Sequence, residues 1–374
     1  TSYATDGFQF YGLTYKETNI PESLLKEKLV SQNYQYEFPL AALQTEPFKL
    51  DSSKEFTFYG MYVENYEEIR KEPFEINNIT FDNEVSGKYL KFENKIEIGK
   101  PLVGLSGNDE HLVNSYNDVR HIEKDGSKLL SFFAGKNKHI VTKAKELLVE
   151  RPHGQVLIHG DILNASESVM ATTGHMYGVF SSHIVLGNTN FHKLTGDVRN
   201  KLNVQKISGQ RIYLEINNKY HLLTMPSYFE INTNNLKWIY ILENDVIEVN
   251  YLTSINKLGQ RLSFKSKNNI KYNLIVTQQI IMGERENTHE IDFLVKDNEV
   301  LITTLKNQMV LDAYPNLKYK YISSGNVEVL DDKLFFGKDS GEGLLIFKYQ
   351  KTNNFFIDVF GTYEDEFDTN VNFE

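Results

Sequence analysis

Short runs of β-branched and aromatic residues fill the C-terminal half of this 374-residue chain. Many of the runs alternate apolar with polar residues, a period of two that places successive side chains on opposite faces of a strand. Asn and Asp tolerate the left-handed backbone of tight hairpin turns, and they stand between runs at Asn217-Asn218-Lys219, Glu243-Asn244-Asp245 and Lys296-Asp297-Asn298. The pattern predicts a long antiparallel meander in a large sandwich rather than parallel βαβ units.

Strands are predicted along most of the chain after residue 210, and helices are few. Pro21 to Val30 and Val141 to Glu150 predict two short helices. Lys100 to Lys128 is rich in Gly, Asn, Asp and Ser and lacks a period, so we predict one long irregular segment, either an active-site flap or a solvent loop. The predicted strand regions are Arg211 to Met225, Leu236 to Ser254, Gln260 to Met282, Ile291 to Leu305, Lys318 to Ile322, Val327 to Leu330, Leu334 to Gly337, Leu344 to Tyr349 and Asn354 to Gly361.

Charge and composition exclude several classes of partner. A formal net charge of -10 argues against nucleic acid and anionic membranes, which need clustered Lys and Arg. No cysteine is present, which removes disulfides and thiolate chemistry and fits a cytoplasmic protein without excluding a secreted one. No apolar run is long enough for a membrane span. The chain opens on Thr1 rather than Met, which suggests a processed, truncated or proteolysed polypeptide.

Polar planar side chains are concentrated between Arg151 and Arg211. This stretch holds five of the 10 histidines, among Asn, Gly and aromatic residues. Sugar hydroxyls need such donors and acceptors, and the apolar face of a sugar packs on aromatic rings. The plainer interpretation is turn glycines and histidines that are satisfied within the fold. The histidine spacings lack zinc-site signatures, so no metal is expected.

The candidates for substrate binding or for a domain interface are the residues of this stretch that suit a sugar or a phosphate. Asn188, Asn190 and His192 alternate, and in an extended segment they share one side. His175, Tyr177, Ser181 and His183 share parity in the same way. The full candidate set is Arg151, His153, His175, Tyr177, Asn188, Asn190, His192, Arg199 and Arg211.

Several motifs between Gln35 and Leu242 occur in the same order as in a known family, and they carry a resemblance to it. They are KAKELLVERPHG at Lys143 to Gly154, ATTGHMYGVFSSHIVLGNTNFHKL at Ala171 to Leu194 and RNKLNVQKISGQRIYL at Arg199 to Leu214, with QYEFPLAALQTEPF at Gln35, LLSFFAG at Leu129 and KWIYIL at Lys237. Together they resemble the β-supersandwich region of glycoside hydrolase family 94, in the branch of 1,2-β-oligoglucan phosphorylases and cyclic β-1,2-glucan synthases. Two departures are His175, where the family usually has tryptophan, and Lys201, where it has proline.

The resemblance implies a galactose-mutarotase-like, all-β supersandwich over residues 35–374, after an N-terminal extension with a short helix over residues 1–34. Family members cleave a β-glucosidic bond with inorganic phosphate as co-substrate and without another cofactor. Their general acid lies in a helical (α/α)6 barrel, which has no counterpart in this β-rich sequence. Asp161, Glu167 and Asp197 are weak candidates for such an acid, and surface carboxylates are the preferred interpretation.

Three functions remain open at this point. In the first, the chain is the supersandwich portion of a β-1,2-glucan phosphorylase, as a fragment or split subunit that meets its barrel in cis or in trans and supports a homodimer. In the second, it is a free-standing carbohydrate-binding module. Or it is an aldose epimerase-like enzyme, for which Glu328, Glu342 and Glu364 lie in unpromising contexts. An interface role further predicts that Met176, Tyr177, Phe180 and Phe191 form an exposed apolar patch.

Overall fold

A computed structural model gives the fold of the protein. It describes residues 1–34, 38–58, 60, 64–65, 96–164, 169–187, 193–198, 200–283, 292–304, 307–337 and 343–373. Strands dominate these residues, and every strand pairing is antiparallel. The predicted all-β supersandwich with a few short helices is confirmed.

The elements are numbered in chain order. The strands are β1 Ser2–Asp6, β2 Pro39–Gln44, β3 Arg120–Asp125, β4 Lys128–Ala134, β5 Lys138–Thr142, β6 Gly154–His159, β7 Met170–His175, β8 Val179–Leu186, β9 Gln210–Ile216, β10 Lys219–Leu222, β11 Tyr228–Ile231, β12 Asn235–Ile241, β13 Val246–Thr253, β14 Gly259–Ser266, β15 Tyr272–Gln279, β16 Asp292–Lys296, β17 Glu299–Thr303, β18 Lys318–Ser323, β19 Val327–Asp331, β20 Leu344–Thr352 and β21 Asn354–Thr362. The helices are α1 Gly7–Tyr11, α2 Tyr15–Thr18, α3 Asp109–Asn114, α4 Lys143–Glu146, α5 Gln308–Ala313 and α6 Lys333–Phe336, with 3₁₀ turns at Glu22–Leu25 and Ile162–Asn164.

Two large sheets form the sandwich. One contains eight strands in the order β19-β20-β15-β9-β8-β7-β6, with β10 paired to β9. The other contains eleven strands in the order β16-β17-β18-β21-β14-β13-β12-β11-β5-β4-β3. A separate small sheet pairs β1 with β2, so the segment Pro39–Gln44 joins the N-terminal unit. Neighbours in sequence are mostly neighbours in space, as a meander predicts.

Hairpin turns fall where Asn and Asp predicted them. Asn217 and Asn218 have φ angles of 52° and 61° and connect β9 to β10, as a type I′ turn requires. Asp297 has a φ of 54° between β16 and β17. Asp245 follows β12, and its carboxylate accepts hydrogen bonds from the backbone N–H groups of Val246 and Asn268.

The main core lies between the two large sheets. Ile184, Leu214 and Val276 from the eight-stranded sheet pack in one cluster with Trp238 and Val249 from the other. All five are fully buried. Such a cluster, built from alternate residues of facing strands, is what holds two sheets together in a sandwich.

A smaller core lies on the outer face of the eleven-stranded sheet. There Leu112 of α3 packs against Leu129, Phe132 and Ile140 of β4 and β5. The helix therefore covers the end of the sheet that the eight-stranded sheet does not reach. Helix α3 also lines a cleft on this face of the sheet.

Four local predictions need correction. The helix at Pro21 to Val30 is only the 3₁₀ turn Glu22–Leu25, and the helix at Val141 to Glu150 is only α4, because Val141 belongs to β5. The segment Lys100 to Lys128 is not a single loop, since it contains α3 and the edge strand β3. Leu334 to Gly337, predicted as a strand, lies in helix α6 and its cap.

The predicted exposed apolar patch is also wrong. Met176, Tyr177 and Phe180 are at most 1% exposed and belong to the main core. Phe191 lies outside the described residues. Polar neighbours in the sequence made these aromatics resemble a surface, but the turn between β7 and β8 folds them inward between the sheets.

The burial of Tyr177 gives a stability prediction. We expect Tyr177→Ser to lower the free energy of unfolding by about 3 to 5 kcal/mol, because it empties a core site and removes the hydroxyl that donates to the carbonyl of Asn200. Urea denaturation measures the change. Val156→Ser, at a position that is 51% exposed, is the control and should shift stability by less than about 1 kcal/mol. An unchanged midpoint for Tyr177→Ser would contradict its place in the core.

Candidate functional site

An open cleft of about 930 Å³ lies on the outer face of the eleven-stranded sheet. We call it the outer cleft. Its size falls in the range of small-molecule sites. Residues 106–115 form one wall, α4 and Leu148 the opposite wall, and β11 to β13 the floor.

The wall of residues 106–115 is held in place by two side chains of its own. The Asn108 side chain caps α3 by accepting a hydrogen bond from His111 N at 2.8 Å. The next residue, Asp109, accepts from Leu129 N at 2.9 Å and so ties the helix to β4. The segment predicted as a flap or solvent loop is therefore a braced wall of the cleft.

The floor is apolar and the rim is polar. Ile239, Ile241 and Leu147 line the floor. Tyr228 stands beside them, and burial, with the nearby Glu230 carboxylate, raises its pKa to about 12, so its hydroxyl stays a neutral donor and acceptor. An apolar floor with convergent hydrogen-bonding groups suits a sugar ring. The rim contributes Glu17, Asn108, Asp109, Glu110, His111, Asp125, Lys128 and Lys143.

A buried ion pair fixes the N-terminal segment beside the cleft. The ammonium group of Lys16 donates to the carbonyls of Glu146 and Val149 at 3.1 and 2.6 Å, and lies 3.5 Å from the Glu146 carboxylate. Both side chains are fully buried. Burial lowers the pKa of Lys16, an effect that the nearby Glu146 carboxylate opposes.

His153 completes this network. Its backbone N–H donates to Glu146 Oε2 at 2.9 Å, and its ring Nδ1 lies 2.6 Å from the same oxygen. Glu146 is thus a buried acceptor with a cation on one side and an imidazole on the other. Such burial and pairing describe a structural carboxylate, because neither oxygen is open to a substrate.

The residue after Lys16 makes a reciprocal contact. Glu17 pairs with Lys143 at 2.8 Å, and Lys143 also donates to the carbonyl of Gly104 at 3.1 Å. Lys16 of α2 therefore pairs with Glu146, the last residue of α4, and Glu17 pairs with Lys143, the first residue of α4. We call this arrangement the α4 clamp, and its Glu17–Lys143 half forms part of the cleft rim.

Two of the predicted site residues lie inside the protein, and His175 beside them is half-buried. Tyr177 is 1% and Arg211 is 0% exposed. His175 stacks on the Tyr177 ring at 5.5 Å between centroids, and its carbonyl accepts from Trp238 Nε1 at 3.0 Å. Direct ligand contact is therefore not the role that this arrangement gives to Tyr177 or Arg211.

Arg211 organises the loop before β9. Its guanidinium donates to Ser208 O at 2.7 Å, Asn203 Oδ1 at 2.6 Å and Gln205 O at 3.0 Å. Burial and the Arg211 charge lower the pKa of nearby Lys206 to about 7, while the Lys206 ammonium lies 5.2 Å from the centre of the Tyr15 ring. The Arg211 guanidinium, which suggested phosphate binding, is therefore engaged in hydrogen bonds within the fold.

The remaining candidates are dispersed or not described. Asn188, Asn190, His192 and Arg199 lie outside the described residues, so their role stays a prediction. Arg151 is exposed. The shared face predicted for His175, Tyr177, Ser181 and His183 is not formed, because β7 ends at His175, Tyr177 lies in a turn and His183 has a φ of 50° that breaks the alternation of β8.

The carboxylates considered for catalysis are also separate. Asp161 accepts from Leu163 N and Asn164 N in an exposed turn, and Glu328 pairs with Lys348 at 3.5 Å. Glu364 is exposed, and Glu167 and Glu342 lie outside the described part of the chain. No His–Glu pair open to a substrate is formed among the described residues considered for the epimerase hypothesis.

Sequence reasoning missed the cleft residues. Asn108, Asp109 and His111 stand in a stretch without period, and the only signal was the capping pattern of Asn108 before an acidic first turn. Within the described ranges, no group of three or more His, Cys, Asp or Glu residues is placed to hold a metal ion. No helix in those ranges is long and apolar enough to cross a bilayer.

Two family models match the chain. The glycoside phosphorylase supersandwich domain matches residues 116–361, and the SOGP N-terminal domain matches residues 1–60. The chain therefore belongs to the supersandwich family of glycoside phosphorylases. A curated relative is the 1,2-β-oligoglucan phosphorylase of Listeria innocua, which is 34% identical over 372 residues, 98% of this chain. The chain spans about a third (34%) of that relative's length.

Solved structures share only a distant likeness. A polysaccharide lyase is 8% identical with a TM-score of 0.33, over 52% of this chain and 32% of that one. A protein described as a kojibiose phosphorylase from the human microbiome is 10% identical with a TM-score of 0.30, over 60% and 32%. The 4-α-glucanotransferase of Thermococcus litoralis is 10% identical with a TM-score of 0.28, over 56% and 40%. Scores this low support no argument about function.

The α4 clamp predicts unequal contributions from its two halves. Lys16→Met should lower the free energy of unfolding by about 3 to 5 kcal/mol, because it leaves the Glu146 carboxylate buried without its cation. The double variant Lys16→Met/Glu146→Gln should recover part of that loss. Glu17→Gln is the matched control and should cost at most about 1 kcal/mol, since its carboxylate is 37% exposed. Equal losses from Lys16→Met and Glu17→Gln in urea denaturation would contradict this ranking.

His175 predicts a pH dependence of stability. Burial, and then the Arg211 charge, lower its pKa from 6.5 to about 4, so the imidazole is neutral in the fold and the unfolded chain binds the extra proton between these values. Stability should therefore fall by on the order of 3 kcal/mol as the pH drops from about 6.5 to 4. His175→Phe should flatten this part of the profile, and His111→Gln, at an exposed position, should not. Identical profiles for the wild type and His175→Phe would refute the assignment.

Proposed function

We propose that the chain is the supersandwich portion of a phosphorylase that cleaves β-1,2-linked glucans with inorganic phosphate. The observation that carries the proposal is the 34% identity along 98% of the chain to a 1,2-β-oligoglucan phosphorylase. Similarity of this extent covers both the N-terminal unit and the sandwich, so it is not a match to one common motif.

The outer cleft is the proposed place of glucan contact. Its apolar floor at Ile239 and Ile241 suits the face of a sugar ring, and the exposed groups of Asn108, Glu110 and His111 suit its hydroxyls. Tyr177 and Arg211, which are buried, then support the scaffold instead of touching the ligand.

The general acid is proposed to come from a helical (α/α)6 domain, in cis or in trans. The cleft carboxylate of Asp109 is engaged with Leu129 N, and Glu17 is paired with Lys143, so both are tied to structural partners. A general acid needs a proton at neutral pH and reach to the leaving oxygen. The chain then shapes and orders the substrate, and the other domain protonates it.

A carbohydrate-binding module is the second candidate. The outer cleft favours it, because its apolar floor and polar rim offer a sugar both packing and hydrogen bonds. In that case sugar binding would be complete without another domain. The epimerase hypothesis has less support, because Glu146, the carboxylate that meets a histidine here, is fully buried and paired with Lys16.

Glucose 1-phosphate release tests the proposal. We expect none from sophorose or longer β-1,2-glucans when the chain and phosphate are present alone, and release when a folded (α/α)6 domain of the same enzyme is supplied. Release by the chain alone would overturn the division of roles. No release from the associated pair would overturn the function. Polarimetry on glucose anomers is the parallel assay, and acceleration there would favour the epimerase.

A further inference from the structure

A second, smaller concavity lies just after the C-terminal end of α3, where Ser115 lines both it and the outer cleft. It has a volume of about 420 Å³, and we call it the Tyr116 depression. This volume is within the range of about 300 to 1,000 Å³ that small-molecule sites occupy. It is lined by Tyr116, Asn117, Gly135, Lys138, Glu230 and Lys237, among others.

A nearly buried carboxylate lies in this depression. Glu230 of β11 is 8% exposed, and the Tyr116 hydroxyl donates to its Oε1. Burial, and then the Glu230 charge, raise the pKa of Tyr116, so that hydroxyl keeps its proton. In the part of the chain that the structure describes, Glu230 forms no ion pair. Buried charges are usually paired or hydrogen-bonded on all sides, and one tyrosine is a small complement for a carboxylate.

Two lysines stand beside this carboxylate. Lys237 lies directly opposite Glu230 in the pairing of β12 with β11. The Lys138 ammonium lies 5.9 Å from the centre of the Tyr116 ring. Among the described residues neither lysine forms an ion pair. The depression therefore presents an acceptor at Glu230 and donors at both lysines.

This combination selects the class of ligand. The two ammonium groups repel a cation, and an anion that they attract would still leave the buried Glu230 carboxylate without a donor. Adjacent hydroxyl groups donate to the carboxylate and accept from the ammonium groups, without a ligand charge that must lose its water. The Asn117 amide, which is exposed at the rim, supplies a further donor and acceptor.

We propose that the Tyr116 depression is a binding site for one neutral sugar unit, separate from the outer cleft. Glu230 accepts a sugar hydroxyl, Tyr116 holds the carboxylate in position, and Lys138 and Lys237 donate to neighbouring hydroxyls. The site is open to solvent and small, so we expect millimolar affinity for a single unit. Occupation of this site requires no general acid and no second domain.

Ligand-observed NMR of the full chain with D-glucose and with sophorose tests the site. The wild type should bind with a saturable, millimolar dissociation constant, and Glu230→Gln and Tyr116→Phe should each weaken binding at least tenfold. Glu248→Gln is the matched control, because Glu248 lies on the same face of the same sheet and pairs with Lys267 at 3.0 Å. It should bind like the wild type.

Other outcomes overturn the site. They are no saturable sugar binding by the wild type, equal binding by Glu230→Gln, or tighter binding of inorganic phosphate or glycine than of glucose. If Glu230→Gln fails to fold, the double variant Lys138→Met/Lys237→Met, at half-buried positions, replaces it and should show the same loss. These results are independent of glucose 1-phosphate release, so failure here and failure of the proposed phosphorylase function are told apart.

Discussion

The α4 clamp is the interaction on which the arrangement of the N-terminal unit and the cleft depends. Two consecutive residues, Lys16 and Glu17, meet Glu146 and Lys143 at the two ends of one short helix. The buried half is the more sensitive to substitution, because removal of one partner leaves an unpaired charge in the interior. The exposed half contributes little energy but sets the rim of the cleft. One helical turn therefore couples the position of α2 to the shape of the site.

Helix α3 and the loop before it explain where the cleft lies, because they form one of its walls. Eight strands cannot cover eleven, and the main core includes no residue of β3 or β4. On the outer face, α3 packs against the β4 and β5 end of the sheet through a small core around Leu112 and Phe132. The segment of residues 106–117 lines both concavities, the outer cleft and, with Ser115, Tyr116 and Asn117, the Tyr116 depression.

Much of the sandwich could be predicted from the sequence because local chemistry decides it. The alternating pattern of β12 to β14 and the asparagines at Asn217 and Asn218 specify strands and turns within a few residues. The edge strand β3 escaped prediction because RHIEKD is polar on both faces, as a solvent-facing edge with register shifts allows. Helix α6 escaped because its apolar run Leu334 to Phe336 fits a strand equally well over so few residues.

The site was harder to predict than the fold, since long-range pairing builds it. Lys16 and Val149 are 133 residues apart in sequence, and no local pattern marks either as buried. The histidine-rich stretch has the composition of a ligand surface, yet His153 contacts Glu146 of the α4 clamp and Arg211 holds the loop before β9. Polar residues near glycines are ambiguous between a ligand surface and a satisfied interior, and only the packing of the two sheets distinguishes them.

Hydrogen exchange measured by mass spectrometry, with and without saturating β-1,2-gluco-oligosaccharide, tests the central claim most directly. That claim is that the outer cleft, with a rim fixed by the α4 clamp, is where this supersandwich contacts a glucan. The account predicts slower exchange in residues 106–115 and in α4 together with α2 when the oligosaccharide is bound. Protection confined to the segment between Arg151 and Arg211, or no protection while binding is independently demonstrated, would contradict it.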